Sequence, residues 1–315
     1  MATAVLFPGQ GSQFLGMADP WAGHPAGAEV LAEVSDFLGR DVVAEAHDEA
    51  ALATTAFVQP ALLACDVAAF RVLLAEGLSD IVGVAGHSLG EFAAVVAAGS
   101  MRLADAIAIV AIRGEAMQRA GEERAGAMTA LLGLGAPEAA ALCEEVRGND
   151  ILVVANENSP AQSVASGSVA AVGRLEALAR ERKIRAVRLP VAGAFHSELM
   201  RPAADPVRGA LAAVALDDPA VPVAENVTGE LVRDAARLRE LLEVQVVSPV
   251  RWQTGIRSLA DAGASTFLEA GSGDVLTKLM KRIAPDAAAL AIGSPVDARS
   301  ALEGSGSVGP ISSPP

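Results

Sequence analysis

Short apolar runs alternate along the chain with longer Ala-rich stretches of helical period, and that alternation predicts an α/β fold. Residues 4–7 read as a strand, followed by a glycine loop over 8–13. Residues 60–76 read as a long helix, 81–85 as a second strand, 91–98 as the helix directly after it and 104–120 as another. The polar, glycine-flanked stretch 121–126 is a candidate boundary. Beyond it the spacing changes. Strands are expected at 127–132, 151–155, 162–166 and 184–189, with helices at 137–146 and 169–182. This is the β-α-β-β-α-β order of a ferredoxin-like unit. Helices are expected again at 198–214, 237–246, 249–262 and 275–283, with a late strand at 266–268. The expected organisation is a parallel-sheet core over 1–124 and 191–300, a small inserted subdomain over 125–190, and a flexible Gly/Ser/Pro-rich tail over 303–315.

Composition narrows the class. The chain has 315 residues, 52% hydrophobic and 20% charged, enough for a sizeable core. Its formal net charge of −14 provides no global field for nucleic acid or an anionic membrane, so neither is expected as a partner. No uninterrupted apolar run reaches the ~18–20 residues of a bilayer span, and the N-terminus lacks the basic segment of a signal peptide. The two cysteines, Cys65 and Cys143, lie far apart without metal or CxxC spacing, as buried thiols of a reducing cytoplasm would. No His, Cys and carboxylate clustering suggests a metal site.

The strongest local signal is Gly86-His87-Ser88-Leu89-Gly90, a G-x-S-x-G between an expected strand and an expected helix. That context is what a nucleophile elbow requires, lifting a serine hydroxyl out at a helix N-terminus where backbone N–H groups favour a developing anion. The glycine loop at 8–13 lacks a P-loop lysine; it is either an ordinary βα turn or a donor of N–H groups to an oxyanion hole. A nucleophilic serine needs a base. His24 and His47 sit in surface-like contexts, and alternation points His87 away from Ser88, which gives it a structural role. His196, in a loop before a helix, is the candidate base. No acid stands out to complete a triad, so a dyad oriented by a backbone carbonyl is an equal alternative. Arg113 falls on the same stripe as Val110 and Met117 of an apolar helix. A guanidinium there needs an anionic partner, either an internal carboxylate or the carboxylate of a substrate.

Taken together, the chain resembles the malonyl-CoA:acyl carrier protein transacylases of bacterial fatty-acid synthesis and the related acyltransferase domains of polyketide synthases. The motifs that carry the resemblance are FPGQGSQ at 7–13, VQPALL at 58–63, GHSLGEF at 86–92 and RGEAMQ at 113–118. GAMTALLG at 126–133, NENSPAQ at 156–162, GAFHSELMRPA at 193–203, QVVSPVRW at 245–252 and LEAGSGDVLTKLMKR at 268–282 continue it. The resemblance implies a hydrolase-like core and a ping-pong transfer with no bound cofactor. Malonyl-CoA would be the donor and the phosphopantetheine thiol of acyl carrier protein the acceptor. Ser88 would be the nucleophile, His196 its base, Gln245 the residue whose backbone carbonyl orients the imidazole, and Gln10 and Leu89 the oxyanion donors. Arg113 would bind the malonyl carboxylate beside Gln59, and a bulky Phe195 resembles the malonyl-selective form. Asn156, Asn158 and Asn226 fall where the family places asparagines along the pantetheine entrance. Phe92 stands where a tyrosine is often found.

Other readings are a polyketide-type acyltransferase taking methylmalonyl units, a serine thioesterase or hydrolase, and a non-catalytic scaffold that binds carrier protein. A cytoplasmic monomer is expected. Since CoA and carrier proteins are anionic, the net charge leads to one more expectation: Arg182, Lys183 and Arg185, with Lys278, Lys281 and Arg282, would rim the site and recruit them.

Overall fold

The computed structural model describes residues 2–191 and 193–303; the expected tail, apart from Glu303, lies outside them. Ten strands form among these residues: β1 (Thr3–Phe7), β2 (Ile81–Gly86), β3 (Gly126–Leu132), β4 (Leu152–Ser159), β5 (Gln162–Ser168), β6 (Arg185–Arg188), β7 (Val223–Ala224), β8 (Leu231–Val232), β9 (Thr266–Ala270) and β10 (Ala288–Ile292). They make two sheets. One runs β10-β9-β1-β2-β7-β8, parallel except for the last pair. All five residues of β1 are buried, as expected of a parallel strand covered on both faces. The other sheet is antiparallel, in the order β4-β5-β3-β6, and its elements follow the β-α-β-β-α-β sequence. Cys65 and Cys143 are free and buried.

The seam between the sheets holds the chemistry, and strand periodicity explains why. Ala127 and Leu131 of β3 pack on helices Ala136–Arg147 and Val169–Glu181, whereas Met128 and Ala130 point into the larger core. In β4 one extra residue, Ala155, enters between the pairs Val154–Ala165 and Asn156–Val164. A bulge of this kind reverses facing. Leu152 and Val154 therefore pack against the small helices, while Asn156 and Asn158 line a cavity.

Two long helices close the core behind β1 and β2. Helix Leu103–Glu123 runs through most of the expected boundary, leaving only residues 124–125 before β3. Helix Thr55–Ala75 starts five residues earlier than expected, with Pro60 inside it. A proline is favoured at a helix start, which set the sequence expectation. Burial of Phe57, Val58 and Gln59 carries the helix through instead. This helix also corrects the membrane reading: interrupted by Gln59, Asp66 and Arg71, it is still long and apolar enough by length and composition to span a bilayer. Its most apolar window is 89% buried, so it is a core helix of this fold. Helix Pro25–Leu38, the β7–β8 hairpin and β10 were not expected from the sequence.

Candidate active site

Strand β2 ends at Gly86, and a tight turn leads into helix Gly90–Ala97. A Cβ on Gly86 would collide with the backbone of Gly90, and one on Gly90 with the carbonyls of Phe7 and Pro8. Both glycines are sterically required. Ser88 between them adopts a left-handed φ of 53°, a strained conformation for a residue with a side chain. The turn is pinned from below by Asn226, whose Oδ1 accepts from Ser88 N–H at 2.7 Å and whose Nδ2 donates to Gly86 C=O at 2.7 Å. Ser88 N–H is thereby used, whereas the N–H groups of Gln10 and Leu89 have no hydrogen-bond partner among the described residues.

Ser88 Oγ lies 2.7 Å from His196 Nε2. On the far side of the ring, Nδ1 is 3.0 Å from the carbonyls of both Gln245 and Ser248. Carbonyls only accept, so Nδ1 carries the proton and Nε2 presents its lone pair to the hydroxyl. His196 is 3% exposed and also has a left-handed φ, 56°. Burial first, and then the Arg113 charge, push the imidazole down to about 3, so it is neutral near pH 7.

Arg113 is 1% exposed. Its Nη1 donates to Gln59 Oε1 at 2.6 Å, and its Nη2 to Ser88 Oγ at 3.0 Å and Gln245 Oε1 at 2.9 Å. Nε has no partner. Every group bonded to the guanidinium is neutral, so the internal salt bridge left open by the sequence does not form among the described residues. Burial lowers its pKa to about 10, opposed by Glu91, and it stays protonated at neutral pH. The Phe92 ring lies 5.7 Å from its guanidinium carbon.

These groups surround an inner cavity of about 70 Å³, lined by Ser88, Arg113, His196, Gln59, Met117 and Phe195 among others. That is roughly two waters' worth of space, which suits a small acyl group. Gln10, His87, Asn156 and Leu189 also line an adjoining cavity of about 240 Å³, which extends past Asn158 to Val275, Leu276 and Leu279. His87 does not reach the serine hydroxyl. Its Nε2 pairs with Asn158 Oδ1 at 2.9 Å, its ring packs on Trp252, and burial lowers its pKa.

Several expectations change. Asn156 and Asn158 line the outer cavity, but Asn226 does not; it braces the serine turn from behind. Two of the six expected rim residues are paired locally: Arg182 with Glu145 at 2.5 Å and Lys278 with Asp274 at 2.7 Å. Lys183, Arg185, Lys281 and Arg282 have no ion pair among the described residues. Lys281 and Arg282 lie on helix Val275–Ile283, which also contributes Val275, Leu276 and Leu279 to the outer cavity. Lys183 and Arg185 are on a different edge, where Arg185 shares a separate hollow with Arg180 and Arg188.

Sequence reasoning missed three participants: the Ser248 carbonyl, the Gln245 side chain and Glu91. Gln245 Nε2 donates to Ser88 C=O at 2.8 Å and to Glu91 Oε2 at 2.6 Å, and Glu91 Oε1 accepts from Asn226 N–H at 2.9 Å. Glu91 is buried, and burial with the nearby Glu225 raises its carboxyl to about 8 against the pull of Gln245, Asn226 and Arg113. In the sequence Glu91 stood only as an acid in the first turn after Ser88, within GHSLGEF, which reads equally as a dipole-favoured surface residue.

Residues 5–291 match the family model described as the acyl transferase domain. The malonyl CoA-acyl carrier protein transacylase of Salmonella typhimurium is 40% identical over 303 residues, covering 95% of this chain and 98% of that protein. The structure of the malonyl CoA-acyl carrier protein transacylase from Coxiella burnetii superposes with a TM-score of 0.93 at 36% identity, over 96% of this chain and 97% of that one. A malonyl-transacylase solved in complex with its type II PKS acyl-carrier protein matches with a TM-score of 0.92 at 38% identity, over 96% of this chain and all of the other.

Proposed function

The chain belongs to the acyl transferase domain family, and from that premise we propose that it moves a malonyl group from malonyl-CoA to the phosphopantetheine thiol of acyl carrier protein. One observation supports the acyl choice above all. A buried Arg113 without a carboxylate partner among the described residues sits 3.0 Å from the serine hydroxyl, where the far carboxylate of a dicarboxylic acyl group would complete the pair. An acyl group ending in methyl leaves that charge unmatched.

The steps follow a ping-pong course. His196 Nε2 takes the proton of Ser88 as Oγ attacks the thioester carbonyl. The tetrahedral oxyanion is received by the N–H groups of Gln10 and Leu89, each such donor contributing about 2.7–4 kcal/mol. The C–S bond breaks, His196 returns its proton to the CoA thiolate, and malonyl remains on Ser88. The carrier thiol then gives its proton to His196 and takes the acyl group by the reverse course. Two carbonyls on Nδ1 stabilise the imidazolium in place of a triad acid. Arrival of the malonyl carboxylate at Arg113 offsets the charge that depresses His196, so the base strengthens when the correct substrate is bound.

Other elements of the reading rest on the fold. The turn at Ser88 is a nucleophile elbow, supported by its strained φ and its two obligatory glycines. The antiparallel β4-β5-β3-β6 sheet is a ferredoxin-like subdomain over 125–190, set into a hydrolase-like core over 1–124 and 191–300. Gln59, Phe195, Asn156 and Asn158 shape the acyl pocket and the pantetheine channel. Lys281 and Arg282 form the principal recruiting surface, with Lys183 and Arg185 in a lesser role. The protein acts as a cytoplasmic monomer and needs no bound cofactor.

The test is intact-mass detection of one malonyl group on the protein after exposure to malonyl-CoA, and its transfer on adding holo carrier protein. Ser88→Ala should take up none. Acyl loss to water as fast as to carrier protein would refute the transferase reading.

A further inference from the structure

The nucleophile, the base and the Gln10 oxyanion donor come from separate segments of the chain, and their chemistry needs them held to within a fraction of an ångström. Helix Gly90–Ala97 carries the serine turn, the segment after β7 carries Asn226, and the short helix Gln245–Val247 carries the carbonyl that orients His196. One carboxyl joins all three. Glu91 Oε1 accepts from Asn226 N–H, and Oε2 accepts from Gln245 Nε2. Asn226 in turn grips Ser88 N–H and Gly86 C=O, while the Gln245 side chain grips Ser88 C=O and Arg113. Since Gln245 Nε2 donates to both Glu91 and Ser88 C=O, its Oε1 is left facing Arg113 Nη2. Glu91 and Ser88 C=O together fix which way that amide points, and with it the seat of the guanidinium. Glu91 lines neither part of the active-site cavity, so it touches no substrate.

We propose that Glu91 is a positioning residue for acyl transfer, holding the nucleophile turn, the base-orienting segment and the arginine in register through Asn226 and Gln245. The inference rests on Ser88 and His196 acting as proposed above. It extends to chemistry at Ser88 in general, whichever acyl group arrives.

Two variants test it. Glu91→Gln preserves size but turns one acceptor oxygen into a donor, so an N–H must face an N–H at Gln245 or at Asn226. Glu91→Asp keeps both acceptors on a shorter stem. Each is compared with the parent in single-turnover malonylation of Ser88 across malonyl-CoA concentrations. Each is also labelled with a neutral fluorophosphonate, which reacts with an activated serine and needs no arginine. Circular dichroism checks the fold. E91Q should lower the saturated malonylation rate about ten- to a hundredfold, with half-saturation within threefold of the parent. Fluorophosphonate labelling should slow in parallel, and E91D should fall between E91Q and the parent.

A folded E91Q that is labelled within threefold of the parent overturns the proposal, as does a loss confined to malonyl-CoA half-saturation. If E91Q does not fold, E91D decides: a fivefold or greater loss in both rates at unchanged half-saturation supports the proposal, and parent rates overturn it. A parent that accepts the fluorophosphonate but not malonyl would fault the malonyl reading and leave this inference standing on the labelling ratio.

Discussion

Arg113→Ala is the perturbation that bears most directly on substrate choice. In the parent, the guanidinium donates only to Gln59, Gln245 and Ser88, and it reaches neutral pH protonated and uncompensated. A hydrogen bond to a charged group contributes about 1.5–3 kcal/mol, equivalent to roughly ten- to a hundredfold in a rate or binding ratio. Malonyl gains that contribution and acetyl does not. Acetyl also leaves a buried charge unmatched in the 70 Å³ pocket. The ratio of kcat/KM for malonyl-CoA over acetyl-CoA should therefore fall by about ten- to a hundredfold in the variant. The assay is competitive acylation of Ser88 read by intact mass, with thermal denaturation alongside, because the change strands the Oε1 atoms of Gln59 and Gln245. A second readout is independent of acyl selectivity. The Arg113 charge is, after burial, the largest cause holding His196 low. Without it the imidazole titrates at higher pH, and the acidic limb of kcat/KM moves upward. A folded variant that kept its full malonyl preference, or an acidic limb that did not move, would refute the respective half of this reasoning.

The turn at Ser88 is sterically fixed, so Gly86→Ala should cost on the order of 4–5 kcal/mol or prevent folding, measured by soluble yield and thermal denaturation; a parent-like Tm would contradict it. His196 is held down to about 3 when folded against an ordinary 6.5, so the unfolded chain takes up its proton first and stability falls as pH drops through that window. His196→Gln should lose less Tm between pH 7 and pH 4.5 than the parent, whereas parallel curves would show that the imidazole plays no such part. Charge reversal at Lys281 and Arg282 should raise the KM for carrier protein, and added salt should erase much of the difference; Arg182→Glu should do less, since Arg182 is already paired with Glu145. Equal effects at the two places would argue against a recruiting surface on helix Val275–Ile283.

Which features the sequence could reveal depended on how local their causes were. Gly86 is required by a clash with Gly90 four residues on, so Gly86-His87-Ser88-Leu89-Gly90 could be read directly and its strand and helix followed, although the carbonyls of Phe7 and Pro8 that require Gly90 could not. The β-α-β-β-α-β order was visible for the same reason, since period-2 and helical patterns alternate cleanly between Gly126 and Arg188. Helix Thr55–Ala75 was misread at its start because a proline inside a helix costs about 3 kcal/mol, and only burial of its neighbours on all sides outweighs that. Asn226 was placed at the entrance because its spacing to the other asparagines says nothing about depth. Its position behind Ser88 comes from β7 pairing with β2, a two-residue contact too short to detect. Glu91 was passed over because what distinguishes it is burial between segments more than 130 residues away in sequence. The Ala155 bulge, which turns Asn156 and Asn158 toward the cavity, leaves no mark in composition.

The buried guanidinium lacks a countercharge among the described residues, and in the proposed reading that open charge is what recognises substrate. Desolvating an arginine costs several kcal/mol, and an internal carboxylate would offset much of it. The fold surrounds Arg113 with amides and a hydroxyl instead, which satisfy three N–H contacts without cancelling the charge. The nearest acid, Glu91, is separated from it by the Gln245 side chain and gives both its oxygens to Asn226 N–H and Gln245 Nε2, so it does not pair with the guanidinium. Half of a salt bridge is thus built beside the nucleophile and the other half is left to the acyl group. Moving a carboxylate into hydrogen-bond reach of Arg113, as in Gln59→Glu, should stabilise the free protein while weakening malonyl transfer. Thermal denaturation would register the first effect and Ser88 malonylation the second. A variant that gained stability without losing malonyl transfer would mean that the open charge is not what selects the substrate.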